Sequence, residues 1–223
     1  SLLGLGRLEK VDRPAIATIF PNRGKGCVLL DVGATSDCKP QHLVQFASMG
    51  SCYAHDVLGL AEPRVGLLSI GEEAKKGNDL TVETHGLLAQ GTHLNFIGNV
   101  EGRDILKGEV DVVVTDGFTG NVVLKLAESV LTHIVGSFQR ELGRSLRAKA
   151  GALLLKPAFD RMRGQFDYAE YGAAPLLGVD GVIFIGHGRS SPRAIRSGLR
   201  TTATFVEQRV NEHIQELLRH AYA

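Results

Sequence analysis

A chain of 223 residues, 43% hydrophobic and 22% charged, is long enough to bury a sizeable core and falls in the soluble globular class. A formal net charge of +1 removes any global reason to expect nucleic acid, so electrostatic recognition has to come from a local patch. Three cysteines (Cys27, Cys38, Cys52) in no metal-ligand spacing argue against a disulfide or zinc scaffold and fit a reducing cytoplasm, while no apolar run approaches the roughly 18 residues of a spanning helix and no signal peptide is recognisable.

Ser1 to Leu8 reads as the end of a helix already under way, so the chain is expected to lack its beginning. Short Val- and Ile-rich runs then follow at Ala15 to Phe20, Val28 to Asp31, Val65 to Ile70, Leu94 to Ile97, Val110 to Thr115 and Val182 to Ile185, and each is predicted to be a buried strand. Between them Gln41 to Leu60, Leu80 to Ala89, Gly120 to Phe138 and Pro192 to Leu218 have helical spacing and length. Alternating strands and helices predict an α/β fold with a mainly parallel sheet. One domain over residues 1–223 is expected, with an irregular basic excursion at about 140–178 and no repeat or linker that would mark a second domain.

Polar turns follow several strands, where an open α/β sheet places its ligands, beyond the carboxyl ends of the strands. Asp116-Gly117-Phe118-Thr119-Gly120-Asn121 leads from a Val-rich strand into a long helix, and free amides at such an entrance can hold an oxyanion or phosphate. An ordinary strand-to-helix turn uses the same residue types. Gly186-His187-Gly188-Arg189-Ser190-Ser191-Pro192 supplies an imidazole, a guanidinium and two hydroxyls, and equally reads as a helix entrance capped by Ser191. Asp31-Val32-Gly33-Ala34-Thr35-Ser36-Asp37-Cys38-Lys39-Pro40 sets Lys39 where an ammonium can meet a phosphate, although a lone lysine is also simply solvated. Cys38 has no sequence-near histidine to activate it and reads as a buried thiol rather than a nucleophile. Signatures of nucleotide, serine-hydrolase and metalloprotease sites (GxxxxGK[ST], GxGxxG with its acid, GxSxG, HExxH) do not occur, so neither a metal nor a cofactor is expected.

Between Arg140 and Arg163 seven cations (Arg140, Arg144, Arg147, Lys149, Lys156, Arg161, Arg163) face only Glu141 and Asp160, interleaved with Leu153, Leu154, Leu155 and Phe159. A basic amphipathic stretch suits an anionic lipid surface or an acidic protein; a solvated hairpin or a dimer contact has the same composition.

The segments LLDVGATSDCKPQHLVQFA, RVGLLSIGEEAKKGN, NFIGNVEGRDILKGEVDVVVTDGFTGNVVLK and EYGAAPLLGVDGVIFIGHGRSS together resemble the bacterial phosphate acyltransferases of phospholipid synthesis, in order and in spacing. The resemblance covers the carboxyl two-thirds of that family, whose leading Asp-Ala-Met-Gly-Gly-Asp and Gly-Asn-Thr-Gly-Ala segments are absent here, and Thr35 stands where the family usually has Asn. It implies a three-layer α/β/α subunit like phosphate acetyltransferases and the isocitrate and isopropylmalate dehydrogenases, working as a homodimer. It implies acyl transfer from acyl carrier protein to inorganic phosphate in the cytoplasm, with peripheral contact at the inner face of the cell membrane.

Carried onto these motifs, Lys39, Asn121 and His187 are the catalytic candidates. Asp31, Gly33, Asp37, Asp116, Gly117, Gly120, Gly188, Arg189 and Ser190 are the phosphate-side candidates. Arg147, Leu153, Leu154, Leu155, Lys156 and Phe159 are the candidates for membrane or carrier contact. The competing expectations are a phosphate acetyltransferase-like enzyme using acyl-CoA and a non-catalytic membrane- or carrier-binding module. A dehydrogenase on the same fold lacks both a nicotinamide fingerprint and a metal-binding carboxylate cluster here.

Overall fold

The computed structural model describes residues 2–145, 147, 150, 151, 153–157, 172–188 and 190–221. Among them the strands are β1 (Ala15–Phe20), β2 (Cys27–Leu30), β3 (Arg64–Leu68), β4 (Asn95–Val100), β5 (Val112–Val114), β6 (Ala174–Leu177) and β7 (Phe184–Ile185). The helices are α1 (Leu2–Leu5), α2 (Pro40–Leu58), α3 (Asp79–Gln90), α4 (Gly117–Gly143), α5 (Pro192–Glu207) and α6 (Val210–Ala221), and residues 153–157 are helical. The expected α/β fold is present.

Strand β2 shows why the sheet is sandwiched. Val28 and Leu30 enter one core with residues of α2, α5 and α6, while Cys27 and Leu29 enter a second core closed by Val123, Leu124 and Ala127 of α4. Side chains alternate across a strand, so a run apolar at every position requires cover on both faces. Helix α2 is the main cover of the first face. Its start is fixed by Pro40, which has no N–H to leave unpaired, and its end by Gly59 in the left-handed region at φ 65°. Midway, Gly50 lets the helix approach the sheet so closely that a Cβ there would sit 2.7 Å from Val112 and 2.8 Å from Leu30.

The sheet order is β4-β3-β5-β2-β1-β6-β7. The β4, β3, β5 and β2 pairings are parallel, and those of β1 with β2, β1 with β6 and β6 with β7 are antiparallel. The sheet is therefore mixed where a mainly parallel one was expected. Connections explain the difference: only six residues, 21–26, separate β1 from β2 and six, 178–183, separate β6 from β7. A parallel pair needs a crossover of about a dozen residues or more. Strand β6 lies inside the segment read as an irregular excursion, and the long carboxyl-terminal helix expected over Pro192 to Leu218 breaks into α5 and α6 at Gln208 and Arg209.

A bidentate ion pair pins the parallel half. Arg64 at the start of β3 donates from Nε to Asp111 Oδ2 at 2.8 Å and from Nη2 to Oδ1 at 2.9 Å, and its backbone N–H adds a third bond at 2.9 Å. Burial pushes the Asp111 carboxyl up, but these Arg64 donors outweigh it and hold the group below the ordinary carboxylate range. A carboxylate held low contributes stability above its unfolded value and loses it as pH falls through the folded one. Arg64→Gln is expected to cost about 1–2 kcal/mol near neutral pH, allowing for solvent screening of the half-exposed guanidinium. In urea titrations the margin between wild type and variant should shrink below about pH 4; a constant margin on acidification would contradict this account.

Gly120 gives a second test. A Cβ there would land on the Asp31 carbonyl oxygen, whereas at Gly86 in α3 it would meet nothing within 4 Å. Gly120→Ala should therefore destabilise by about 1–3 kcal/mol, and Gly86→Ala should stabilise by about 0.5–1 kcal/mol. Equal effects of the two substitutions on the urea midpoint would show that the backbone contact at Gly120 is unimportant.

Candidate functional site

Asp31, at the carboxyl end of β2, is fully buried, and its side chain organises the loops around it. Oδ1 accepts the N–H groups of Ile16, Gly33 and Ala34, each at 3.0 Å, and Oδ2 accepts that of Thr35 at 2.6 Å. Burial holds the pKa of this carboxyl above the ordinary carboxylate range, and the four amide bonds oppose that rise without cancelling it. The neighbouring loop is clamped against it: Gly117 N–H donates to Thr35 O at 2.9 Å, and a Cβ at Gly117 would sit 2.6 Å from Asp31 Oδ2. Thr35, standing in place of the family's Asn, donates its hydroxyl to Pro14 O at 3.2 Å and so ties the loop to the entry of β1.

Two of the three carboxylates read as phosphate-side candidates make local bonds. Those of Asp31 and Asp116 are committed to backbone and cap: Asp116 accepts Thr119 N–H at 2.8 Å and Thr119 Oγ1–H at 2.7 Å, capping α4. A buried carboxyl already bonded to amides positions the loop that bears it. Gly117 and Gly120 serve the same packing. Gly33 faces Asn121, with a built Cβ 3.8 Å from the amide side chain, and Asp37 is exposed on the loop.

Asn121, on the first turn of α4, and His187, just beyond β7, line one groove of about 290 Å³. Its walls include Ile16, Ile19, Val32 and Leu124, with Lys125 and Glu128 paired at 3.0 Å on the α4 side. The route by which these residues come to line one groove differs from the one expected. Because β7 runs antiparallel to β6, its carboxyl end lies toward the opposite edge from those of β2 and β5. The groove crosses the face of β1 and joins the two loops along the sheet rather than at a shared strand-end crevice. Both side chains are exposed.

Lys39 is not in that groove. It caps α2 and lines a second, larger cavity of about 1150 Å³ with Arg7, Lys10, Arg13 and His42. Its backbone N–H donates to His42 Nδ1 at 3.1 Å, which fixes the proton of the neutral imidazole on Nε2. Gly188 is exposed, and Ser190 N–H donates to His187 O at 2.9 Å, closing the loop before the Ser191 cap of α5. Arg189 and Phe159 lie outside the described residues. Arg147 and Lys156 are exposed, as are Leu153, Leu154 and Leu155 at 72%, 83% and 53%.

Burial pushes the thiols of Cys27 and Cys52 up to about 12 and that of Cys38 to about 11, so all three stay protonated and none is primed as a nucleophile. Among the described residues no His, Cys, Asp or Glu cluster forms a metal site, and no helix is long and apolar enough to cross a membrane. Sequence reasoning missed Lys125 and Glu128, although their positions four and seven residues after Asn121 put all three on one helix face. It also missed the three cations before β1, whose regular spacing resembles an unremarkable charged turn.

Comparison with known proteins follows the same lines. Residues 1–213 match a family model described as "fatty acid synthesis protein". A phosphate acyltransferase of Heliobacterium modesticaldum is 54% identical over 216 residues, covering 97% of this chain and 64% of its own length. One of Campylobacter lari is 50% identical over 216 residues, covering 97% of this chain and 65% of its own. This chain therefore spans a little under two-thirds of these relatives. In three dimensions it is similar to the EutD phosphotransacetylase of Staphylococcus aureus, with a TM-score of 0.54 at 14% identity over 98% of this chain and 57% of that one. A phosphotransacetylase of Streptococcus pyogenes gives a TM-score of 0.54 at 16% identity over 91% and 57%. These likenesses establish a phosphotransacetylase-like fold, and the match along nearly its whole length makes this chain a member of the fatty acid synthesis protein family.

Proposed function

We propose that the protein transfers a fatty acyl group from the thioester of acyl carrier protein to inorganic phosphate, releasing an acyl phosphate for phospholipid synthesis. The observation that carries the reading is that Asn121 and His187 line one partly apolar groove, whose Asn121 end adjoins loops fixed by Asp31. The name phosphate acyltransferase borne by relatives at 50–54% identity supports it.

A thioester needs little activation, since its thiol leaves as a group of pKa about 8.5. A phosphate oxygen adds to the carbonyl carbon, the C–S bond breaks as the tetrahedral intermediate collapses, and the departing sulfur takes up a proton. In this reading the Asn121 amide N–H donates to the oxyanion and His187 delivers the proton, while Arg189 and Ser190 hold phosphate. Ile16, Ile19, Val32 and Leu124 give the groove walls on which an acyl chain can lie. In the full-length polypeptide Asn121→Ala is expected to slow phosphate-dependent acyl phosphate formation a hundredfold or more, since an oxyanion donor contributes about 2.7–4 kcal/mol. His187→Gln should lose about 10²–10⁴-fold at an unchanged unfolding midpoint. Near-normal turnover in both variants would remove this groove from the chemistry, and a preference for acyl-CoA over the carrier thioester would replace the donor.

Two further parts of the proposal concern surfaces. Phe118, Val122, Leu126 and Val130 form an exposed apolar row at four-residue spacing on α4, which supports burial against a second copy in a homodimer. Leu153, Leu154 and Leu155, exposed beside Arg147 and Lys156, support peripheral contact with the anionic inner face of the cell membrane. Changing the three leucines to Glu should abolish co-sedimentation with phosphatidylglycerol-containing liposomes; undiminished binding would rule this contact out.

A further inference from the structure

The second cavity carries an excess of positive charge, four cations to one carboxylate, that the groove chemistry does not use. The turn from Arg7 to Pro14 enters β1 at the edge where β2, β3 and β5 have their carboxyl ends. Leu8 and Val11 are its buried anchors; Leu8 N–H donates to Gly178 O and Val11 N–H to Leu8 O, both at 3.1 Å. Arg7, Lys10 and Arg13, three residues apart, are left exposed around a cavity that Lys39 also lines. Of the acids of this turn, Asp12 lines the cavity and Glu9 does not, and neither pairs with these cations among the described residues. Glu9 pairs with Arg219 at 2.8 Å, and Asp12 Oδ2 accepts Gln45 Nε2–H at 2.9 Å while Asp12 N–H donates to Gln45 Oε1 at 2.9 Å. Arg7 donates to the Asp12 carbonyl, whereas Lys10, Arg13 and Lys39 make no ion pair among the described residues. His42 adds a neutral donor: burial keeps its pKa low, with Asp12 acting against it and Arg13 and Lys39 acting with it, and its proton is on Nε2.

Cations gathered around an open cavity repel one another until an anion joins them, and clustered Lys and Arg with a neutral N–H donor are the chemistry of phosphate-ester recognition. Position limits which ester. Lys39 follows Gly33, which faces Asn121, by six positions, so the cavity lies within about 20 Å of the groove loops. That is within reach of a pantetheine arm two amides long. We propose that the cavity walled by Arg7, Lys10, Arg13 and Lys39 binds the phosphate of the phosphopantetheine arm that carries the acyl thioester, leaving the groove to bind the phosphate that reacts.

This rests on the acyl-transfer reading, and the test separates the two. With the full-length polypeptide, 4′-phosphopantetheine should bind about tenfold or more tightly than pantetheine in calorimetry, and Lys10→Gln with Arg13→Gln should erase that difference at an unchanged unfolding midpoint. In turnover the double variant should raise KM about tenfold for an acyl-phosphopantetheine thioester and leave the acyl-pantetheine thioester unaffected. Single Lys10→Gln, a surface change, provides the same readout should the double variant unfold. Equal affinity of the wild type for the two ligands would overturn the inference, as would equal losses with both thioesters. Displacement of phosphopantetheine by inorganic phosphate with no contribution from the arm would overturn it too. Absence of acyl phosphate from either thioester, with the binding preference intact, would instead strike the transfer reading and leave the phosphate-ester site standing.

Discussion

The rest of the site depends on one buried carboxylate. Asp31 has no solvent contact, so the electrostatic cost of its burial has to be offset inside the fold, and four backbone N–H groups from two chain segments do this. Three belong to the loop that follows β2 and one to β1, so a single side chain sets both the loop's curvature and its position against the neighbouring strand. Gly117 and Gly120 let the start of α4 approach this carboxylate and its carbonyl. Asn121 is placed on the groove by the same contact that would exclude any larger residue one position earlier.

This organisation was half legible in the sequence. Strands β1 to β5 stand out as Val- and Ile-rich runs because they are buried on one or both faces. Strand β6 escaped notice: Pro175 demotes a strand pattern, and the four residues Ala174–Leu177 sit beyond a long basic stretch. The mixed pairing was readable from connection lengths, yet the alternation of elements pointed the other way.

Asn121 and His187 could be singled out because their loops concentrate polar residues, but their common groove depends on the direction of β7, a two-residue strand. The role of Asp31 was hidden for a different reason. Its partners are main-chain amides, among them that of Ile16 fifteen residues earlier, and an amide leaves no trace in a residue name. Lys39 shows the converse, since a lysine at a strand-end loop draws notice by its residue type, whereas the cations of a distant turn that share its cavity do not.

The mixed sheet also separates the ends of the molecule by use. Strand β1 arrives at the edge carrying Asp31 and the cationic cavity and departs at the far edge through the 21–26 turn. There Asn22 Oδ1 accepts the N–H groups of Gly24 and Gly26, and Lys25 Nζ reaches Gly59 O at the end of α2. This tip is exposed around Arg23 and Gly24, and its register is set by local bonds. Short, exposed turns of this kind tolerate insertions and labels. A reporter group placed at Arg23 would ride on the same strand that frames the site, at the end opposite Asp31 and the cationic cavity and at the edge toward which β7 carries His187, so this turn is a vantage point from which the two ends of the strand can be told apart.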